Sequence, residues 1–256
     1  MPLIRDREAV RALLEQDGVR AASVRNLVFG TAGARARWVR VDSLDRPRAV
    51  LCRGRRLYLW AREPAAARAA LAGLPARTRC NFSATPGRVV PACRRHFATL
   101  RPNVKQSWTN VCWLYELAGA PPPPVRGVRV EELGPADART IAGLWPHGRR
   151  VDYVRARIRN WPTCAVRRGG RLVGWGLTHD DGSMGFLHVL DEWRGRGFAR
   201  AITAALTRRL LDLGVRPHLY IMQDNRASIS LTESCGFCRV EDYWWFGEGR
   251  RRARPR

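Results

Sequence analysis

Arg194-Gly195-Arg196-Gly197 alternates two arginines with two glycines in four residues. Glycine frees the backbone to turn and lets a ligand approach it closely, and guanidinium groups bring charge and forked donors. Upstream, Ser183 to Leu190 carries Phe186, Leu187, Val189 and Leu190 after Asp180-Asp181-Gly182, which predicts a buried strand entered through a turn. Downstream, Ile202, Ala205, Leu206, Leu210 and Leu213 recur at helical spacing until Gly214 stops the run. A glycine-rich loop between a strand and a helix leaves first-turn N–H groups unpaired, and these suit phosphate oxygens. The spacing is not GxGxxG, and no Gly-Lys-Ser/Thr follows, so neither a dinucleotide fingerprint nor a Walker loop is present. Groups able to take a proton stand nearby: His179, Asp180 and Asp181 at the strand entry, and His188 inside the strand. The same Asp-Asp-Gly is equally an ordinary turn, and His188 equally suits a hydrogen-bonded core position.

The segment resembles motif A of the GNAT acyltransferases, Arg/Gln-x-x-Gly-x-Gly/Ala, with Arg194, Gly197 and Ala199 on the marked positions. Asn225 to Phe237 is similar to the family's second segment, Asn-x-x-Ala/Ser-x-x-Leu-Tyr-x-x-x-Gly-Phe, in the right order and at the right separation. The run Phe186 to Gly197 looks most like the glycine N-acyltransferase-like, or FR47-like, branch. The resemblance implies acyl-coenzyme A or acetyl-coenzyme A as co-substrate, its pyrophosphate on the loop. Val189, Leu190, Arg194, Gly195, Arg196, Gly197, Phe198 and Ala199 would line it, with Asn225 on the pantetheine side. A backbone N–H near Val189 or Leu190 would polarise the thioester carbonyl. Asn225 also reads as a helix N-cap before Ala227. The glutamate base of the branch falls at about Ser183, which cannot serve, so His188, Asp181 and Asp180 are the candidate proton acceptors. The tyrosine that protonates the leaving thiolate in the family falls at Thr232, a poor acid.

The chain has 256 residues, 45% hydrophobic and 27% charged, which suits one large globular domain or two small ones. No run of apolar residues is long enough to span a membrane, and the N-terminus lacks a signal-peptide core. The formal charge is +24, from 46 basic and 22 acidic residues. Lys105 is the one lysine, so the arginine excess reads as coding bias that also favours an anionic ligand such as coenzyme A. Nucleic acid is not the favoured partner, and the terminal arginine run reads as a solvated end. Seven cysteines at irregular spacing point to a reducing compartment, the cytoplasm first and the mitochondrion second. Cys235 and Cys238 have CxxC spacing without a second pair, so they read as structural and no metal is expected.

Periodicity predicts helices at 5–17 and 19–29 and a strand from Trp38. A hairpin across Arg53-Gly54-Arg55, a helix from Pro64, a short strand at 80–82, a helix at 90–100 and an aromatic strand at 108–117 follow. Pro121 to Pro124 is a stiff linker. Beyond it come a strand at Val128 and Val130, helices at 138–144 and 151–160 separated by a break at 145–148, and a hairpin at 164–177. The Ser183 strand and its helix, a strand at 217–222, a helix at 227–234 and a last strand at 238–246 complete the chain. The expected domains are an N-terminal α+β domain over 1–120, a linker at 121–125, a GNAT acyltransferase domain over 126–246 and a basic tail at 247–256. The fold class is α+β, with the N-terminal half a degenerate GNAT-like copy lacking the cofactor motif. The hairpin at 52–60 echoes that at 166–175. The function this implies is transfer of an acyl group from acyl-coenzyme A to a small amine such as glycine or another amino acid. The alternatives are a protein N-terminal or lysine acetyltransferase with an acidic protein partner, and a non-catalytic module binding coenzyme A or nucleic acid. Acyl chain length, acceptor and oligomeric state stay open.

Overall fold

The computed structural model describes residues 3–30, 35–104, 106–145 and 150–249. They form two units: the chain up to Leu114 together with the segment that starts at Val240, and Tyr115–Arg239. The division falls inside two long strands, and the tetraproline run lies within the second unit.

The first unit opens with helices α1 (Arg11–Gln16) and α2 (Ala22–Phe29). The expected helix over 5–17 begins as a 3-10 turn, Arg7–Val10, because the Asp6 carboxylate accepts from the Glu8 N–H and caps a tighter coil. Strands β1 (Val39–Val41), β2 (Ala49–Arg53) and β3 (Leu57–Ala61) form an antiparallel meander, with Leu51 opposite Leu59. Helix α3 (Pro64–Leu71) crosses to strand β4 (Asn81–Pro86), which runs parallel to β3 at Leu57–Phe82. Helix α4 (Val90–Leu100) and strand β5 (Gln106–Leu117) follow. Leu51, Leu59, Phe82, Phe97 and Phe246 anchor one core, with the Phe82 and Phe246 rings stacked at 5.0 Å.

The second unit places helices α5 (Asp137–Leu144) and α6 (Val151–Asn160) before an antiparallel meander of β6 (Thr163–Arg168), β7 (Arg171–Thr178) and β8 (Met184–Val189). Helix α7 (Phe198–Asp212) leads to strand β9 (His218–Met222), parallel to β8 at Met184–Leu219. Helix α8 (Arg226–Ser234) and strand β10 (Phe237–Glu248) end the described fold. One face of the meander packs Trp175, Leu177, Phe186 and Leu190 against Ile141 and Val154 of α5 and α6. The other face meets α7, whose Ile202 lies close over Gly174 and Gly176. The strand expected at Val128 and Val130 reduces to a single bridge, Glu131 with Ala165, at the outer edge of β6. Of the expected break at 145–148, residues 146–148 lie outside the described residues, as does most of the basic tail.

The two units share one order: two helices, three antiparallel strands, helix, strand, helix, strand. By that order the hairpin at 52–60, β2 with β3, corresponds to β7 with β8. The sequence echo with β6 and β7 is therefore one strand out of step, because both hairpins use a basic glycine turn. The class is α+β.

Candidate active site

Strand β8 carries the irregularity on which the site turns. Trp175 pairs with His188 and Leu177 with Gly185, so Phe186 and Leu187 together face the single Gly176. This is a β-bulge, and Phe186 takes φ +53°, a left-handed backbone that phenylalanine rarely adopts. The Phe186 ring is held between Trp145 at 4.8 Å, His179 at 4.8 Å and Tyr153 at 5.9 Å, and this packing supports the strained backbone.

Past the bulge, the Leu190 N–H donates to the Val173 carbonyl at 2.9 Å and is unavailable to a ligand. Val189, opposite Gly174, therefore sits between ladder bonds, and its N–H and C=O point toward the β9 side. The β8–β9 register is made at Met184–Leu219, at the start of both strands, so the end of β8 meets no partner strand there among the described residues. The Val189 carbonyl accepts from Arg194 Nε at 3.3 Å, which ties the loop back to the strand.

The loop turns through Gly195 at φ +76° and Gly197 at φ +75°. An added Cβ at Gly195 would meet nothing within 4 Å, so its backbone angle, rather than crowding within the protein, calls for glycine. Gly197 caps α7, and the first helical bond runs from Ala201 N–H to Gly197 O at 2.9 Å. The N–H groups of Phe198, Ala199 and Arg200 are left outside the helical ladder, at the positive end of a 15-residue helix. Arg194 and Arg196 are exposed around this end, Arg194 paired with Asp191 at 2.6 Å and Arg196 lying 4.6 Å over the Trp193 ring. Backbone donors rimmed by guanidinium groups form a cradle of the kind that suits an anion.

The expected residues do not all converge. Val189, Arg194, Gly195, Arg196, Gly197 and Ala199 follow one another along strand, loop and helix. The Phe198 side chain turns inward, 4% exposed, between Trp193 and Arg168, so it can offer the cradle only its N–H. Asn225 caps α8, its Oδ1 accepting from the Ser228 N–H at 3.2 Å. His188 is half-buried, its ring 4.7 Å from Trp175. Burial and then Arg194 lower its pKa, partly offset by Asp191, so it is neutral at pH 7. Asp181 lies in the turn that precedes β8, at the opposite end of the strand from His188. It is 3% exposed and accepts from both the N–H and the Oγ of Ser183, so it builds the turn rather than facing a substrate. Asp180 accepts from the Tyr153 hydroxyl at 3.2 Å. Thr232 is buried.

Tyr153 and the seat of His179 on Gly185 had no signal in local sequence. Tyr153 comes from α6, 27 residues before Asp180, and only the packing of α6 on the meander brings it there. In unit one the corresponding crossing from β3 to α3 has no glycine loop. Helix α3 starts at Pro64, which has no N–H, behind Glu63, which pairs with Arg48 at 2.7 Å.

This architecture is the GNAT fold. A Drosophila protein of known structure covers 78% of this chain with 73% of its own at a TM-score of 0.64 and 18% identity. A GCN5-related N-acetyltransferase from Kribbella flavida covers 91% with 95% of its own at a TM-score of 0.56 and 12% identity. Within that fold, residues 164–246 match the family of FR47-like proteins, and the segment contains the bulged strand, the cradle and α8. The mycothiol acetyltransferase of Nocardiopsis dassonvillei is 40% identical over 122 residues, covering 40% of this chain. The match spans only 37% of that relative's length.

Proposed function

We propose that the second unit is an acyl-coenzyme A-dependent N-acyltransferase acting on a small primary amine, glycine or another amino acid first. The observation that carries this reading is the cradle from Val189 to Ala199, where an open strand end and a helix N-terminus meet in the order that a thioester and a pyrophosphate require. The match of residues 164–246 to FR47-like proteins supports it. The name of the mycothiol acetyltransferase relative supports acetyl as the group moved.

The pyrophosphate would rest on the N–H groups of the loop and of the first turn of α7, with Arg194 and Arg196 neutralising its charge. Pantetheine would lie along the open side of Val189, hydrogen-bonded as a short added strand, with Asn225 near its far side. The thioester carbonyl would then reach the bulge at Phe186 and Leu187, where strand pairing is interrupted and a backbone N–H can stabilise the oxyanion. The amine attacks the carbonyl carbon, a tetrahedral intermediate forms, and the C–S bond breaks. Direct attack is favoured over a cysteine intermediate because Cys235 is buried and burial pushes its thiol pKa up.

Thiol release from acetyl-, propionyl- and benzoyl-coenzyme A, with and without glycine and other amino acids, tests the reading. Release that rises with an added amine, with the amide found by mass spectrometry, is the expected result. Tight coenzyme A binding with no stimulation by amino acids would reject the small-amine acceptor. In that case a protein N-terminus or lysine becomes the acceptor to test.

A further inference from the structure

The imidazole of His179 occupies the place that a side chain would take on β8. A Cβ added to Gly185 would lie 2.2 Å from His179 Nε2 and 2.6 Å from its Cδ2. The ring is seated on the bare backbone one residue before the bulge, beside the Phe186 ring at 4.8 Å. Its other nitrogen, Nδ1, stands 3.4 Å from the Tyr153 hydroxyl, which donates to Asp180 Oδ1 at 3.2 Å. A carboxylate only accepts, so the hydroxyl proton points to Asp180 and the tyrosine oxygen accepts from Nδ1–H. In the tautomer that this pairing favours, Nε2 carries the lone pair. Asp180, Tyr153 and His179 thus form a chain that holds the imidazole over Gly185, beside the bulge where the thioester carbonyl is expected.

We propose that His179 Nε2 is the base that takes the proton from the acceptor amine, with Tyr153 and Asp180 as positioning residues. The inference rests on the acyl-transfer reading above. As the neutral amine attacks, the C–N bond forms and one N–H proton passes to Nε2. The imidazolium is stabilised through Tyr153 by the Asp180 carboxylate. The C–S bond then breaks, and the thiolate takes the same proton, restoring neutral His179 and releasing coenzyme A as the thiol. Glycine at 185 is required because any other residue would displace the ring.

Bromoacetyl-coenzyme A tests this without knowledge of the acceptor. Bound in the cradle, it presents its CH2–Br carbon to whatever nucleophile faces the thioester. Attack by Nε2 forms an N–C bond, expels bromide and loses the Nδ1 proton to solvent. The expected result is one adduct that excess coenzyme A blocks, mapped to His179 by peptide mass spectrometry and lost in His179→Gln. Tyr153→Phe should slow it about tenfold, since the ring loses the hydroxyl that orients it. A coenzyme A-protected adduct on His188 or on any other residue overturns the assignment. So does the absence of a protected adduct while calorimetry shows that coenzyme A binds. Failure to bind coenzyme A at all would instead sink the acyl-transfer reading, and this assignment with it. Should His179→Gln fail to fold, the mapped adduct and its rate in Tyr153→Phe still decide the question.

Discussion

At the residue scale the site depends on backbone angles that side chains resist. Gly197 holds φ +75° where the loop becomes α7. Alanine there would cost about 1–2 kcal/mol of strain and would tilt the N–H groups of the cradle. Gly197→Ala is expected to weaken coenzyme A binding about tenfold, which is roughly 1.4 kcal/mol. Calorimetric titration checks it, and an unchanged Kd would remove the cradle from the binding site. Phe186 shows the converse case. It keeps φ +53° without being glycine because three rings close around it. Nothing in its sequence neighbourhood announces a bulge, whereas the alternation of arginine and glycine from Arg194 to Gly197 announces the loop plainly.

At the element scale the comparison of α3 with α7 bears on how many coenzyme A sites the chain offers. Both helices follow the third strand of a meander and cross to a parallel strand. Helix α7 presents free first-turn donors behind a glycine loop, and α3 presents Pro64 behind the Glu63 carboxylate. The missing donor removes a contact for a phosphate at α3, and the carboxylate disfavours one there. Titration with coenzyme A is therefore expected to give one site per chain, with the whole signal lost when Arg194 and Arg196 are both changed to alanine. A second site surviving in that variant would contradict the account. The helices and most strands were legible as periodicities, and the bridge at Glu131 was not. Two alternating valines predict a strand, but only one residue there finds a partner on the edge of β6.

At the scale of the whole molecule, burial couples stability to pH. His96, His188 and His218 each have a pKa lowered from 6.5, burial being the leading cause in every case. His218 is fully buried, and the nearby Asp181 and the Arg216 carbonyl only partly oppose the shift. Below pH 6.5 the unfolded chain binds these protons more readily than the folded one, so the unfolded state gains. The contribution is complete above the unfolded value and is lost as pH falls through the lowered folded values. Tm should be flat from pH 8 to about 7 and fall between about 6.5 and 5, above the carboxylate range. A scanning-calorimetry series checks this, and His218→Gln should flatten the slope. A Tm that rises on acidification would refute the sign.

The sequence alone determined the class of fold, the order of elements in the second half and the strand, glycine loop and helix from Met184 to Asp212. These depend on short-range periods and on a motif contained in one strand, loop and helix. Tertiary structure decided which of the candidate proton acceptors meet one another. Asp181, His188 and Asp180 are close in sequence, yet the strand carries His188 to one end while Asp181 closes a turn at the other. Tyr153 reaches Asp180 and His179 only because α6 packs across the meander. Local spacing cannot encode that meeting, since a hydrogen bond between residues 27 apart depends on how two faces pack and not on either segment's own pattern.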